Sequence, residues 1–447
     1  MNAWKTDNLI SFAAAVAAFA EGRDTPRAFL ERAIEAIVAR EPELKAFVSR
    51  DLEGARAAAD ASSERYRASA PLSAVDGCPF GVKDVIETAD LPTQMNSPIY
   101  EGWRPRRDAA CVRALKLGGA VLVGKTVTTE FACGRSGPTV NPHDPTRTPG
   151  GSSSGSGAAV GAGLLPVALG TQAGGSTIRP ASYCGAFGFK PSVGALSMAG
   201  IHTVGVTHDH LGIIAASIED VWRTARRIGD THPGPDGLAG EGHELPRTRN
   251  PERLVRLHTA AWEELDADTK AAFEDHVCRL RGAGIEVVGR DDDTDIAALE
   301  TALADGVGGR HDVVAYEMRW PFQEYVERHG ESLSETVHAY MRRAAEITPT
   351  EHRRLLDERE RMRERVTTLS RRFAGFVTLA SLGPAPKGFE YTGDRTFLNT
   401  WSWLGFPSFS LPLLAVAGLP VGVQLMGFAD ADDRLAAHAA WIMETVG

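Results

Sequence analysis

Apolar residues recur at helical spacing along the first part of the chain. The pattern predicts helices over residues 8–67. Thr25 is a suitable N-cap for one of these helices, and Pro26 suits its first helical position. The apolar face of this helix would consist of Phe29, Ala33, Ile34 and Ile37.

From residue 79 onwards, short apolar runs alternate with helical patterns. Segments 79–82 and 120–123 are typical of buried strands, and segment 108–117 between them has a helical pattern. The alternation continues through an apolar run at 158–169. Strands that alternate with helices form sheets with helices packed on them, so the chain is predicted to have an α/β fold with helices on both faces of a central sheet.

Three later segments have their own patterns. Residues 229–250 are rich in Gly, Pro and polar side chains and predict an exposed loop, and residues 284–288 predict a strand. Residues 351–373 predict a charged helix with one apolar stripe. The stripe consists of Leu355, Met362, Val366, Leu369 and Phe373. Glutamates interspersed with the arginines of this helix favour a solvated face over a nucleic-acid-binding surface.

The composition narrows the classes of partner. The 447 residues carry a formal net charge of −10, which disfavours a nucleic-acid partner. No apolar run reaches the ~18 residues that a membrane helix needs, so no membrane partner is predicted. The Ala-rich run 11–20 lacks a basic flank, and we interpret it as a helix rather than a signal peptide. Five widely spaced cysteines without a CxxC pattern predict reduced thiols and a cytoplasmic location.

A Gly- and Ser-rich stretch begins at residue 150 and passes directly into apolar sequence. This continuity predicts a tight turn that leads into a helix, rather than a flexible linker. Residues 119–126 match the phosphate-loop pattern GxxxxGK[ST], but the middle of the match looks like a strand. Residues 151–155 match GxSxG, but they follow a turn-like segment rather than a strand. Neither ATP binding nor a nucleophile elbow is therefore predicted.

The sequence gives little support for a metal site or for a cysteine nucleophile. His208, Asp209 and His210 are adjacent and lack further ligands, so we expect solvated charged side chains rather than a metal site. Cys133 and Cys184 have no His or Lys partner signalled in the sequence, which favours buried apolar roles. No metal and no cofactor is predicted.

Lys83 ends the apolar segment PFGVK in a chain that contains 8 Lys and 40 Arg. A free lysine has a pKa near 10.4, and complete burial lowers that value by as much as ~3–5 units. Neighbouring side chains in an extended segment point to opposite faces, so Asp84 need not pair with Lys83. Lys83 is thus either a structural residue or a base with a lowered pKa.

The motifs taken together resemble the amidase signature family. They are PFGVKD at 79–84, GGSSSGSGAAVGAG at 150–163 and ALGTQAGGSTIRPASYCGAFGFKPS at 168–192. The resemblance spans roughly 25–229 and 375–447, with 230–374 as the variable part. It implies an amidase signature fold, in which residues 1–447 form a single domain around a central mixed sheet. Members of the family are often dimers, so a homodimer is also expected.

The resemblance implies a role for each matching residue. Lys83 would be the base, Ser152 the proton bridge held by a cis peptide bond, and Ser176 the nucleophile. The oxyanion hole would be formed by the backbone N–H groups of Ala173, Gly174, Gly175 and Ser176. A serine hydroxyl is a weak nucleophile until a neighbour accepts its proton, and fixed N–H donors stabilise the oxyanion that forms. The chemistry requires no metal or cofactor.

Two departures from the commonest family pattern bear on the substrate. Before the glycines of the turn, the commonest family pattern is Gly-Thr-Asp, and this chain has Gly170-Thr171-Gln172 instead. The commonest pattern that starts at the nucleophile is Ser-Ile-Arg, and in this chain the arginine, Arg179, stands one place later. Both are similar to a subgroup that includes malonamidase-like short amidases, where the arginine binds a substrate carboxylate or braces the loop; both roles stay open. The residues predicted to contact substrate are Ser153, Thr171, Gln172 and Arg179.

The leading functional hypothesis is hydrolysis of a C–N bond in a small amide, carbamate or urea-like molecule. The alternatives are the glutaminase subunit of a tRNA-dependent amidotransferase and a non-catalytic scaffold. Pocket walls are expected from residues 300–400, where the aromatic candidates are Trp320, Phe322, Tyr391 and Trp401. The sequence does not identify the amide, carbamate or urea derivative.

Overall fold

The computed structural model describes residues 3–232, 234, 238 and 243–447, and eleven strands of this part form one mixed sheet. The strands are β1 (Phe47–Arg50), β2 (Pro79–Lys83), β3 (Val121–Thr126), β4 (Val167–Gln172), β5 (Phe187–Lys190), β6 (His210–Ala215), β7 (Arg253–Arg256), β8 (Glu286–Val288), β9 (Gly375–Leu379), β10 (Ser408–Val416) and β11 (Leu419–Met426). Their order across the sheet is β1-β3-β2-β4-β6-β5-β10-β11-β9-β7-β8.

Helices surround this sheet. They are α1 (Ala13–Ala20), α2 (Pro26–Leu44), α3 (Leu52–Arg67), α4 (Ala110–Leu117), α5 (Ser154–Gly161), α6 (Ile178–Cys184), α7 (Ile218–Gly229), α8 (Ala267–Gly282), α9 (Thr294–Glu317), α10 (Arg319–His329), α11 (Glu335–Glu346), α12 (Pro349–Thr368), α13 (Thr396–Leu404) and α14 (Asp432–Val446). No described helix is long and apolar enough to cross a membrane.

The sheet has two buried faces because successive strand side chains point in opposite directions. In β3, Val121 and Val123 pack in a cluster with α2, α3 and α5, whereas Leu122 packs in a cluster with α4 and α7. Strand β2 pairs in parallel with β3 and β4, while β4 pairs antiparallel with β6. The predicted α/β fold with a mixed sheet and helices on both faces is confirmed.

Helices α1, α2 and α3 form most of the predicted 8–67 helical segment, but residues Phe47–Arg50 within it form strand β1. The Thr25 hydroxyl accepts a hydrogen bond from the N–H of Ala28 at 3.1 Å and caps α2. The Ala-rich run contains α1, whose Phe19 makes an edge-on contact with Phe29 at a ring distance of 5.9 Å. Packing of this aromatic pair holds the first helix against the domain.

Several later predictions can also be compared with the structure. The apolar run 158–169 does not form one element, because α5 ends at Gly161 and β4 begins at Val167. The phosphate-loop match at 119–126 is largely strand β3, as its apolar centre indicated. Within the predicted 229–250 loop, residues 233, 235–237 and 239–242 lie outside the described residues.

Candidate active site

Two neighbouring parallel strands bring Lys83 to the turn that follows β4. Lys83 is the last residue of β2, which pairs with β4 in the register Val82 to Leu169. Strand β4 ends at Gln172, and the chain continues into the Gly-rich turn that contains Ser176. The carboxyl ends of parallel strands share one edge of a sheet, so Lys83 lies beside this turn.

The Lys83 side chain is fully buried. Its Nζ donates hydrogen bonds to Ser152 Oγ and Thr171 Oγ1, each over 2.7 Å. Burial lowers the pKa of Lys83 from 10.5 to about 7, and the negative charge of Asp209 opposes part of that shift. A lysine with this pKa is substantially uncharged at neutral pH, so its amine can accept a proton.

Asp84 follows Lys83 in the chain but faces other partners. Its carboxylate accepts hydrogen bonds from the N–H groups of Gln94 at 3.0 Å and Met95 at 3.1 Å. It also forms an ion pair with Lys125 at 3.4 Å. The prediction that Asp84 and Lys83 need not meet is confirmed.

The loop that carries Ser152 is fixed from two sides. The Gly151–Ser152 peptide bond is cis, and Arg179 Nη2 donates to the Gly151 carbonyl oxygen at 2.6 Å. The N–H of Ser153 donates to the carbonyl oxygen of Ser176 at 3.1 Å. These bonds tie the Ser152 loop to the turn after β4 and to the first part of α6.

A small cavity of about 80 Å³ brings Ser152 and Ser176 together. Ala173 and Gly174 lie in the same wall. In the described chain, no hydrogen bond joins the hydroxyls of Ser152 and Ser176. The structure therefore contains the Lys83–Ser152 contact of the predicted relay and places Ser176 on the same cavity.

The backbone N–H groups of residues 173–176 donate to no other group of the chain as described. Gln172 holds the turn instead. Its Oε1 accepts hydrogen bonds from the N–H groups of Thr177 at 2.8 Å and Ile178 at 2.9 Å, and its Nε2 donates to Ser402 Oγ at 2.8 Å. N–H donors without a partner in a braced turn are available to a ligand, which is one condition for the predicted oxyanion hole.

The four residues predicted to contact substrate are bonded mainly within the protein. Ser153 Oγ lies 3.3 Å from both the N–H and the carbonyl oxygen of Thr171, and Thr171 Oγ1 accepts from Lys83. Gln172 braces the turn, so these three side chains have structural partners. Of the four, Arg179 alone contributes to the wall of the small cavity. Its Nη1 donates to the Gly393 carbonyl oxygen at 2.6 Å.

The variable region supplies cavity walls that the sequence analysis missed. Arg310 and Val314 come from α9, Tyr340 comes from α11, and Arg395 directly precedes α13. No motif marks these residues, because the packing of distant helices brings them to the cavity. The one signal for them in the sequence was their position in the 300–400 region that was expected to provide the walls.

The aromatic residues proposed for these walls were the wrong choice. Trp320 and Tyr391 are 75% and 59% exposed, and Phe322 is buried in the core. Trp401 lines a larger cavity of about 340 Å³ between α9 and α13. That cavity contains none of the three predicted catalytic side chains, so the small cavity is the candidate active site.

The expectation of solvated side chains at His208, Asp209 and His210 was also wrong. All three are buried, because β6 lies between β4 and β5 near the middle of the sheet. Asp209 accepts the N–H of Val204 at 2.6 Å, and burial raises the pKa of its carboxyl to about 6. Among the described residues, no group of three or more His, Cys, Asp or Glu could hold a metal ion.

The two cysteines differ from each other. Cys184 is buried, as predicted, but Cys133 is only half-buried and contributes to the wall of the small cavity. Burial nevertheless raises the pKa of the Cys133 thiol, and the charge of Glu130 adds to that effect. A thiol with a raised pKa is a poor nucleophile at neutral pH.

Sequence comparisons identify the family of the chain. Residues 28–436 match the family model for Amidase. A glutamyl-tRNA(Gln) amidotransferase subunit from Chloroflexus aurantiacus is 42% identical over 218 residues, 47% of this chain and 45% of that protein. This match therefore spans less than half of that relative. The corresponding subunit from Roseiflexus sp. is 31% identical over 89% of this chain and 88% of that protein.

Comparison with solved structures also finds amidases. A crystal structure of an amidase superposes with a TM-score of 0.85 at 27% identity, covering 98% of this chain and 100% of that one. The class is that of the amidases, enzymes that cleave amide-type C–N bonds, because the family model spans most of the chain and the fold matches that of a solved amidase. The chain belongs to the Amidase family.

Proposed function

We propose that this chain cleaves the C–N bond of a small amide through a covalent seryl intermediate. Ser176 is the nucleophile, Ser152 the proton bridge and Lys83 the base. The observation that carries the proposal is the 2.7 Å contact between Lys83 Nζ and Ser152 Oγ, at the cavity that also holds Ser176. Membership of the Amidase family supports the reaction class.

In the acylation step, neutral Lys83 accepts the proton of the Ser152 hydroxyl while Ser152 accepts that of Ser176. Ser176 Oγ then forms a bond to the substrate carbonyl carbon, and the carbonyl π electrons move to the oxygen. The N–H groups of residues 173–176 stabilise that oxyanion. Loss of one such donor typically costs ~10²–10³-fold in rate.

In the second half of the reaction, the C–N bond breaks and the proton on Lys83 returns through Ser152 to the leaving nitrogen. A water molecule then attacks the seryl ester and gives its proton to the same relay. The bond between the acyl carbon and Ser176 Oγ breaks, and the proton held by Lys83 returns through Ser152 to Ser176 Oγ. This step releases the acid and regenerates the Ser176 hydroxyl and neutral Lys83. Every proton in this scheme is carried by Lys83, Ser152 or Ser176.

The names of the sequence relatives support a second candidate better than they support independent hydrolysis of a small amide. Both of these relatives are amidotransferase subunits, so this chain could supply ammonia from glutamine within a complex. The acyl-enzyme chemistry would be the same. The partners and the substrate would differ.

The cavity favours independent hydrolysis. Free glutamine carries an ammonium group as well as a carboxylate, and a site for it needs a counter-charge for each. The described residues that line the cavity include three arginines and no Asp or Glu. The wall as described offers no anionic partner for the ammonium group.

Ammonia release by the purified chain distinguishes the two candidates. We expect the chain alone to hydrolyse at least one small monoamide in a substrate panel and to hydrolyse glutamine poorly. Glutamine hydrolysis that appears only with the other subunits of an amidotransferase would support the second candidate. A chain that forms no acyl-enzyme under either condition would overturn both.

A further inference from the structure

We propose that the cavity selects amides that carry a carboxylate a few bonds from the scissile carbonyl, and that Arg310 binds this carboxylate. The inference rests on the proposed amide hydrolysis and names a substrate class for it. It assigns substrate selection to α9, in the variable region, rather than to a residue of the family motifs.

Arg310 is a buried cation on the wall of the cavity. Its side chain is 5% exposed, and its Nη1 donates to Asn399 Oδ1. Burial, reinforced by the positive charge of Arg395, lowers the pKa of Arg310 to about 9. The guanidinium is therefore still charged at neutral pH. A buried charge without a counter-ion is costly, so an anion that enters the cavity would be bound favourably.

The surroundings of Arg310 contain no compensating carboxylate in the part of the chain that the structure describes. The titratable groups that act on it are Arg395, Arg179 and the hydroxyl of Tyr340. Asp394 acts on Arg179 and Arg395, but it forms an ion pair with neither of them. The cavity is thus positively charged, and the missing anion is one that the substrate can supply.

The position of Arg310 fixes where that anion would lie. A methyl group built on Gly174 would come within 2.7 Å of Arg310 Nη2. The guanidinium therefore packs against the turn whose N–H groups have no partner among the described residues. A carboxylate on Arg310 and a carbonyl at Ser176 must share a cavity of about 80 Å³. This limit favours a monoamide of a short dicarboxylic acid.

The other two arginines have different roles. The Arg179 guanidinium donates to the Gly151 and Gly393 carbonyl oxygens and to Thr392 Oγ1 at 3.0 Å, so both of its terminal nitrogens are engaged. Its buried Nε has no partner among the described residues. Arg395 is exposed at the cavity and can attract anions from solvent. A planar guanidinium with unused N–H groups matches the two oxygens of a carboxylate. Of the three arginines, Arg310 is the one that combines a buried side chain with a single described hydrogen bond, the one to Asn399.

Steady-state kinetics tests the selection. The substrates are succinamic acid, the uncharged amide butyramide and glutamine. We expect kcat/KM of the wild-type enzyme to favour succinamate over butyramide by about tenfold or more. In Arg310→Met this ratio should fall to near one, and Arg310→Lys should retain part of it. The control Arg106→Met, at an exposed position, should keep the wild-type ratio.

Binding of succinate, measured by titration calorimetry, tests the same site without turnover. We expect its Kd to rise about tenfold or more in Arg310→Met, with circular dichroism confirming the fold; if that variant does not fold, Arg310→Lys replaces it. Succinate binding that depends on Arg310 in an enzyme that hydrolyses no amide would support the inference and overturn the proposed function. Amide hydrolysis with equal kcat/KM for succinamate and butyramide, or a Kd unchanged by Arg310→Met, would overturn the inference alone.

Discussion

Lys83 Nζ lies 2.7 Å from Ser152 Oγ, although 69 positions separate the two residues in the chain. The contact is buried, and it joins the end of a central strand to the loop before α5. The amine also contacts the Thr171 hydroxyl at 2.7 Å, but of the two hydroxyls that of Ser152 belongs to a residue lining the small cavity. Burial leaves little water to keep the amine charged. This pair is the structural basis of the proposed proton relay.

The state of Lys83 predicts the pH dependence of the reaction. Its pKa is lowered to about 7, and the neutral amine is the active form. The rate should therefore rise with pH through an ascending limb centred near 7. Lys83→Met should remove this limb and reduce kcat by about 10²- to 10⁴-fold. A pH–rate profile with the same limb in both proteins would contradict the assignment of the base.

The charge of Asp209 allows a second test of Lys83 as the titrating group. Its negative charge raises the pKa of Lys83 against the effect of burial. Asp209→Asn removes that charge but keeps an oxygen that can accept the N–H of Val204. We expect the ascending limb to move to lower pH while the melting temperature changes little. Movement of the limb to higher pH would be inconsistent with Lys83 as the titrating group.

Arg179 is predicted to position Ser152 rather than to bind substrate. Arg179→Met leaves the buried carbonyl oxygens of Gly151 and Gly393 without their donor. The free energy of unfolding should fall by about 2–3 kcal/mol, and kcat should fall more than KM rises. Urea unfolding and steady-state kinetics measure the two effects. Unchanged stability with a raised KM for succinamate would instead indicate a substrate contact.

The glycines before and within α5 are predicted to permit close packing rather than flexibility. A methyl group at Gly155 would lie 2.2 Å from the Ala46 carbonyl oxygen and 2.3 Å from the Val127 nitrogen, both backbone atoms. Gly155→Ala should destabilise the protein by about 3 kcal/mol or more. The control is Gly282→Ala in α8, where nothing lies within 4 Å. That change should be neutral or slightly stabilising, and equal effects at the two positions would refute the packing argument.

The sequence predicted those parts of the site that depend on short-range pattern. Lys83 ends a strand that is visible as an apolar run, and the Gly-rich turn after β4 carries Ser176. The parallel pairing of β2 and β4 then brings these motifs to one edge. The fold class followed from the same alternation of strands and helices.

The remaining features depend on tertiary packing that no local pattern encodes. Arg310 and Tyr340 reach the cavity because α9 and α11 pack beside it, and neither residue lies in a motif. His208 looked solvated because charged residues are normally exposed, but the chain there enters the central strand β6. Trp320 was a reasonable pocket candidate because it is aromatic, yet it is 75% exposed.

Covalent labelling with a fluorophosphonate, mapped by mass spectrometry of the digested protein, tests the central claim most directly. We expect one adduct, on Ser176, in the wild-type enzyme and in the control Ser154→Ala. We expect no adduct in Ser176→Ala and much slower labelling in Lys83→Met. An adduct on a different serine, or one that persists in Ser176→Ala, would contradict the proposed nucleophile and the relay built on it.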